Sequence, residues 1–251
     1  MGSSVVIQQE RGQFLNANGF TAWLGFEERG YEIRFADWEQ MAAGVVPVEP
    51  ATIAVGSVAF VRRALRRLGA EPPALGYPPE LAKYLGRRVW RTTWAEVRAD
   101  VDSGPPVFVK PLDHDKAFTG YVVGAFRDLI RTARWPDDMP LWAADPVEFR
   151  SEWRVFFRRG EAIGIGHYKG DPLLFPDPAT IQAALDDYRD AAPIACALDF
   201  GVTADGATRL VEVNEGFALG CYGLGPLAYS AFLEDRWREL TDRIPVEHGA
   251  P

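Results

Sequence analysis

The spacing of hydrophobic residues changes repeatedly between the two-residue period of strands and the longer period of helices. In the N-terminal part of the chain, short apolar runs alternate with amphipathic stretches of helical spacing. Strands that alternate with helices predict a small α/β layer with parallel strands. The expected strands are 5–7, 31–35 and 52–55, and the expected helices are 14–29 and 58–68.

A proline-rich segment at residues 70–80 separates this layer from the rest of the chain. Proline and glycine end regular elements, so we expect a domain boundary within it. The predicted organisation is an N-terminal domain at 1–78, a larger domain at 79–244 with subdomains of about 79–145 and 146–244, and a tail at 245–251.

The larger part of the chain mixes strands and helices in an order typical of an α+β core. The expected strands are 107–111, 141–147, 152–157 and 161–168, and the expected helices are 121–134, 179–189 and 227–243. In the first of these helices, Phe126, Leu129 and Ile130 are spaced to face inward.

Residues 194–214 predict a β-hairpin whose turn is the dipeptide Asp205-Gly206. This dipeptide is typical of a two-residue type I′ turn, and counting outward from it gives the register. Asp199 then lies directly opposite Glu212, and Asn214 lies on the same face as Glu212 because side chains alternate along a strand. The same register pairs Ala204 with Ala207, Val202 with Arg209, and Phe200 with Val211.

The face that carries Asp199, Glu212 and Asn214 is otherwise lined mostly by small residues. Opposed carboxylates repel each other, and oxygen-bearing side chains above small neighbours suit a hard divalent cation. We therefore predict that these side chains bind Mg²⁺, which holds substrate phosphates; the alternative is a surface hairpin whose polar face meets water. The other members of this face are Ala195, Ala197, Gly201 and Leu210, and the core face carries Leu198, Phe200, Val202, Val211 and Val213.

Basic residues that could bind phosphate precede the hairpin. Lys110 ends an apolar strand immediately before a proline, and Lys116 follows in a loop that contains Gly120. Arg154 shares a strand face with Glu152 by alternation. Ammonium groups and the fork of an arginine suit polyphosphate, so we predict a phosphate-binding role for all three cations. The alternatives are two solvated lysines and a plain ion pair between Arg154 and Glu152.

The charge of the chain limits the classes of partner. Its 251 residues include 27 Lys and Arg against 35 Asp and Glu, which gives a net charge of −8. This balance argues against nucleic acid or an anionic membrane as the main partner. No apolar stretch is long enough to span a membrane and no signal pattern opens the sequence, so we expect a cytoplasmic protein. We expect no disulfide between Cys196 and Cys221, and His114, His167 and His248 lack metal-ligand spacing.

The hairpin also carries a family resemblance. Asp199, Glu212 thirteen residues later and the triplet Glu-Val-Asn that ends at Asn214 resemble the metal-binding end of the ATP-grasp fold. The chain is most similar to a compact branch of that superfamily named for an arginine and two lysines, for which Arg154, Lys110 and Lys116 are the candidates. The resemblance covers residues 80–242, and the N-terminal α/β unit is similar to the smaller domain that precedes ATP-grasp cores.

The resemblance also implies roles for individual residues. Lys110 and Lys116 would contact the nucleotide, and Arg154 and Lys116 would act in catalysis. Asp145 and Val147 lie where the adenine-binding hinge is expected, and Glu152, seven residues after Asp145, resembles the glutamate that holds the ribose hydroxyls. The glycine-rich phosphate lid usual in the family has no obvious counterpart, because residues 114–120 contain a single glycine.

The activity that the resemblance implies is an ATP- and Mg²⁺-dependent carboxylate–amine ligase. Such an enzyme phosphorylates a carboxylate and lets an amine attack the acyl phosphate, here on an amino acid or peptide substrate. Two alternatives use the same nucleotide site. A phosphotransferase would release a stable phosphorylated product, and a nucleotide-binding module would bind ATP without turnover.

Overall fold

The computed structural model describes residues 4–112 and 118–242, and three four-stranded sheets organise them. The strands are β1 (Ser4–Glu10), β2 (Gln13–Phe14), β3 (Glu32–Ala36), β4 (Thr52–Val55), β5 (Val89–Thr93), β6 (Val107–Pro111), β7 (Tyr121–Val123), β8 (Pro140–Ala144), β9 (Phe149–Arg158), β10 (Glu161–Gly170), β11 (Ala195–Thr203) and β12 (Thr208–Glu215). The α-helices are α1 (Ala17–Glu28), α2 (Trp38–Ala43), α3 (Val58–Arg67), α4 (Ala82–Leu85), α5 (Trp94–Asp100), α6 (Pro178–Tyr188) and α7 (Pro226–Thr241). Two 3₁₀ helices occupy Pro79–Leu81 and Phe126–Thr132.

The N-terminal sheet has the predicted parallel arrangement. β1 lies at its centre and pairs in parallel with β3 on one side and β4 on the other, while β2 folds back antiparallel on the end of β1. Polar caps fix where the helices begin: the Ser57 hydroxyl accepts a hydrogen bond from the amide of Phe60 at the start of α3. The α3 N-terminus consequently follows β4 at the carboxyl edge of the sheet.

The N-terminal sheet and the last helix share one apolar core. Buried side chains of β1, β4, α1 and α3 pack with those of α7 and with Phe156, Ala195 and Ala197 of the large sheet. Polar contacts cross the same boundary, because Glu234 of α7 accepts a hydrogen bond from the hydroxyl of Tyr31 at 2.6 Å and forms an ion pair with Arg29. Helix α7 therefore anchors the N-terminal sheet to the rest of the chain.

We expect Glu234→Gln to lower the free energy of unfolding by about 1–3 kcal/mol at neutral pH, since it weakens charge-assisted hydrogen bonds to Tyr31, Arg29 and Arg238. Burial alone would raise the pKa of Glu234, but these three donors outweigh it and hold the pKa below its ordinary value. A depressed pKa contributes stability above the unfolded-state pKa and loses it as the pH falls through the folded-state pKa. Urea unfolding at pH 7 and below pH 4 should thus show a deficit that shrinks in acid, and a constant deficit would contradict the assignment.

The two remaining sheets enclose the central part of the molecule. The large sheet is antiparallel with the order β10-β9-β11-β12, and one of its faces packs on α6 and α4. The small sheet is also antiparallel, with the order β5-β8-β6-β7, and packs on α5. None of the helices in the described residues is long and apolar enough to cross a membrane.

The predicted helix at 121–134 is wrong. Tyr121–Val123 pairs with β6 as strand β7, and only Phe126–Thr132 is helical, as a 3₁₀ helix. Leu129 is buried as predicted, but Phe126 and Ile130 are 68% and 71% exposed. The β-branched residues that begin the segment favour a strand, and Gly124 interrupts any helix that would follow.

The hairpin register is right at the functional end and wrong at the turn. The loop has three residues, 204–206, with Gly206 in the left-handed region at φ 81°. Val202 therefore pairs with Thr208 and Phe200 with Leu210, one residue away from the predicted partners Arg209 and Val211. A β-bulge between Asp199 and Phe200 absorbs the difference, so that Asp199 lies opposite Glu212 as predicted.

The same bulge changes which face two residues occupy. Leu210, predicted beside the metal-binding residues, is fully buried in the core with Phe200 and Leu198. Val211, predicted in the core, instead lines a central cavity together with Glu212. A bulge has this effect because the extra residue interrupts the alternation of side chains along the strand.

Candidate functional site

A cavity of about 530 Å³ lies between the small and large sheets and reaches Val58 at the start of α3. Its volume falls within the range of small-molecule and cofactor sites. Every predicted site residue in the described part of the chain lines it, namely Lys110, Asp145, Val147, Glu152, Arg154, Asp199, Glu212 and Asn214. Lys116, assigned to both nucleotide binding and catalysis, lies outside the described residues.

Asp199 is the buried centre of this arrangement. It is 1% exposed, and Arg154, 7% exposed, donates to its two carboxylate oxygens at 2.8 and 2.7 Å. The side-chain amide of Asn214 donates to the same carboxylate at 3.0 Å. Burial raises the pKa of the Asp199 carboxyl, and the guanidinium of Arg154 acts in the opposite direction. The alternative of an ion pair between Arg154 and Glu152 is therefore replaced by a pair with Asp199, because β9 and β11 place Arg154 and Asp199 side by side.

Glu212 is paired with the predicted phosphate ligand Lys110. The ammonium group of Lys110 donates to the Glu212 carboxylate and lies 4.3 Å from the ring centroid of Tyr77. Burial lowers the pKa of Lys110, but Glu212 and Tyr77 outweigh it, so that the pKa lies above its ordinary value. Lys110 is thus a charged, part-buried side chain and not the solvated lysine of the alternative interpretation.

The donor set around Asp199 fits a magnesium ion. Asp199 and Glu212 are directly paired across β11 and β12, and Asn214 has an amide oxygen in addition to the nitrogen that contacts Asp199. Within residues 4–112 and 118–242, no cluster of three or more His, Cys, Asp or Glu residues could hold a metal ion. Two carboxylates and one amide oxygen would leave positions for phosphate oxygens, which is how magnesium is usually held with nucleotides.

Glu152 forms a second polar cluster on the wall of the cavity. It is 6% exposed and accepts hydrogen bonds from the Tyr168 hydroxyl at 2.8 Å and from the ammonium group of Lys169 at 2.5 Å. Burial and the nearby carboxylates of Asp199 and Glu152 raise the pKa of Tyr168, so its hydroxyl keeps its proton and remains a donor. The carboxylate is therefore oriented by fixed donors at the edge of the cavity.

The segment predicted as an adenine hinge follows directly after β8. Asp145, Pro146 and Val147 line the cavity, and the strand expected at 141–147 ends earlier, at Ala144. The Asp145 amide donates to the carbonyl of Arg88, and its carboxylate accepts from the Arg88 amide. Proline has no backbone N–H, so this segment could offer a base mainly carbonyl oxygens and apolar surface.

The glycine-rich segment at 216–225 lies against strand β10. A Cβ atom on Gly166 would lie 2.2 Å from the carbonyl oxygen of Tyr222, so glycine is required there by close backbone packing. The Tyr222 ring centroid is 5.0 Å from the guanidinium carbon of Arg154. The Cys221 amide donates to Asn18 of α1 at 3.0 Å. The segment therefore covers Arg154 and joins the site to the N-terminal sheet.

Sequence reasoning missed the aromatic and basic residues on the small-sheet side of the cavity. Tyr77, Arg87, Trp142 and Phe149 all line it, yet they come from linker and strand positions with no distinguishing spacing. Strand β5, which positions the residues after Arg87, was not predicted at all. Its capping box at Thr93 and Glu96 marks the next helix and gives no sign of the strand.

Solved structures with the same fold cover nearly the whole chain. D-cycloserine synthetase DcsG matches with a TM-score of 0.59 at 15% identity, covering 93% of this chain and 99% of that one. The ATP-grasp ligase PsnB, complexed with a minimal precursor, matches at 0.53 and 14% identity over 95% and 100% of the two chains. D-alanine–D-alanine ligase from Bacillus anthracis matches at 0.51 and 16% identity over 96% and 97%. These identities establish the fold alone, and they confirm the predicted α/β class with an α+β core and a small N-terminal parallel sheet.

The family follows from the sequence itself. No protein with a curated description matches the chain. The model of an ATP-grasp domain, family 2 of the clade named for one arginine and two lysines, matches residues 84–232. The match covers more than half of the chain and includes every residue predicted for the site. The predicted resemblance is therefore confirmed, and the chain belongs to the ATP-grasp superfamily.

Proposed function

We propose that the protein is an ATP- and Mg²⁺-dependent carboxylate–amine ligase that acts on an amino acid or peptide. The observation that carries the proposal is the convergence of Asp199, Glu212, Asn214, Lys110 and Arg154 on one cavity. Oxygen ligands for a divalent cation and cations for phosphate lie within contact distance of each other there. The placement of Glu152 beside them supports a ribose-binding role for that carboxylate.

The residues of the chain would act mainly through position and charge. Lys110 and Arg154 would bind phosphate oxygens and offset the negative charge that develops during phosphoryl transfer. Asp199, Glu212 and Asn214 would hold Mg²⁺, which supplies charge neutralisation at the phosphates when it is bound. The pairing of each cation with an acidic residue keeps its side chain in place before the nucleotide enters.

The proposed reaction has two steps. A substrate carboxylate oxygen attacks the γ-phosphorus of ATP, the bond to the β-phosphate oxygen breaks, and ADP leaves with that oxygen. The amine of the second substrate then attacks the acyl carbon, inorganic phosphate leaves, and the amine proton passes to solvent or phosphate. No side chain is required as the nucleophile.

Hydroxylamine trapping tests the first step and separates a ligase from a phosphotransferase. We expect ADP release that depends on Mg²⁺ and on a carboxylate from a pool of amino acids and dipeptides, and hydroxylamine should convert the acyl phosphate into a hydroxamate. A stable phosphorylated product that hydroxylamine leaves unchanged would favour the phosphotransferase. ATP binding without any ADP release would favour a module that does not turn ATP over.

Glu152→Gln should weaken ATP binding about 10–100-fold, because the amide replaces charged hydrogen bonds to the ribose hydroxyls by weaker neutral ones. Calorimetric titration with ATP measures the change. Glu161→Gln, an exposed carboxylate at the start of β10, is the matched control and should bind ATP normally. Unchanged affinity in Glu152→Gln would remove the ribose-binding role.

A further inference from the structure

Arg87 makes a set of contacts that none of the roles above explains. It lies between α4 and β5, half-buried at the edge of the cavity. Its guanidinium donates to the carbonyl oxygens of Leu210 at 2.8 Å and Val211 at 2.7 Å, and also to that of Leu85 at 3.1 Å. A side chain that spends its donors on backbone carbonyls is fixing the course of the chain.

The two carbonyls on β12 belong to the bulge. The bulge makes Leu210 and Val211 depart from the regular ladder with β11, and a bulge leaves backbone groups without their usual partners. Strand β12 is also the last strand of its sheet, so no further strand of that sheet lies on its outer side. Arg87 supplies hydrogen-bond donors at this point, immediately before Glu212.

A second attachment lies on the other side of Glu212. Gly76 pairs with Val213 as an isolated antiparallel bridge, with hydrogen bonds of 3.2 and 2.8 Å. Glu212 therefore lies between two places where the segment preceding β5 is attached to β12. Rotation of the Glu212 backbone is restricted from both directions.

Aromatic rings hold Arg87 itself. Its guanidinium carbon lies 5.8 Å from the ring centroids of both Tyr77 and Phe149. Tyr77 also lies beside Lys110, which is the partner of Glu212. Arg87, Tyr77, Lys110 and Glu212 thus form a connected set that reaches from the bulge to the paired carboxylates.

We infer that Arg87 is a positioning residue for Glu212: by binding the carbonyls of Leu210 and Val211 it holds the bulge in the form that directs the Glu212 carboxylate at the magnesium site. The inference rests on the proposed function, because it needs Glu212 to be a magnesium ligand. Residues that orient metal ligands from behind typically change metal affinity about 10–100-fold when they are replaced.

The test measures the gain in ADP affinity that Mg²⁺ produces. Arg87→Met keeps a long apolar stem and removes the donors, so calorimetric titration should show a Mg²⁺-dependent gain roughly 10-fold smaller than in the wild type. ADP affinity without Mg²⁺ should stay unchanged. Arg63→Met is the matched control, since Arg63 also donates to a backbone carbonyl, that of Ala42 at 2.9 Å, on the surface away from the cavity.

Each outcome bears on one claim. A folded Arg87→Met variant with the full Mg²⁺ effect would overturn the positioning role, and so would an equal loss of affinity with and without Mg²⁺, which would mean direct contact with the nucleotide. If Arg87→Met does not fold, Arg87→Lys decides, because one ammonium group cannot reproduce the fork and should give an intermediate loss. Wild-type protein without any Mg²⁺ effect would overturn the proposed function, and this inference with it.

Discussion

Replacing Glu212 by glutamine is expected to reduce Mg²⁺-dependent release of ADP from ATP by about 10²–10⁴-fold, since a lost metal ligand removes several kcal/mol of charge stabilisation. The fold should survive. The amide oxygen of glutamine still accepts a hydrogen bond from Lys110, so we expect the free energy of unfolding to fall by only about 1–2 kcal/mol.

The control for this variant is Glu161→Gln, which removes an exposed carboxylate from the same sheet. It should release ADP at the wild-type rate. ADP release and circular dichroism are measured on both variants. A folded Glu212→Gln protein with wild-type dependence on Mg²⁺ would show that Glu212 is not a metal ligand.

The second large effect concerns Arg154. Arg154→Met leaves the carboxylate of Asp199 buried without its cation, and breaking a buried pair in this way costs about 3–5 kcal/mol. Turnover should fall as well, because no fork remains to bind phosphate. Thermal unfolding and ADP release separate the two losses.

Asp199→Asn in the same chain provides the decisive comparison. The double variant no longer has a buried unpaired charge, so it should recover much of the stability that Arg154→Met loses while staying inactive. Arg150→Met, an exposed arginine on the same strand, should change neither property. Equal stability of the single and double variants would contradict the pairing of Arg154 with Asp199.

The metal-binding end of the hairpin could be predicted because its evidence is local. The two strands, the turn region and the alternation of side chains are all contained in 194–214. The pairing of Asp199 with Glu212 held even though the turn has one more residue than predicted, because the bulge at Val211 restores the register. Bulges have no sequence signature of their own here, so the faces of Leu210 and Val211 were assigned wrongly.

The contacts between distant segments could not be predicted. Alternation placed Arg154 and Glu152 on one face of a strand, but only the pairing of β9 with β11 brings Arg154 to Asp199. Arg87 contacts a strand more than a hundred residues later through backbone carbonyls, which carry no residue identity. Chemistry that depends on the order of strands in a sheet is therefore visible only in the fold.

The most direct test of the central claim is a calorimetric titration of ATP into the wild-type protein and Glu212→Gln, each with and without Mg²⁺. We predict that Mg²⁺ strengthens ATP binding to the wild type and that this gain is lost in Glu212→Gln. Absence of ATP binding, or an affinity that is the same with and without Mg²⁺ in the wild type, would contradict the assignment of the cavity as a magnesium–ATP site.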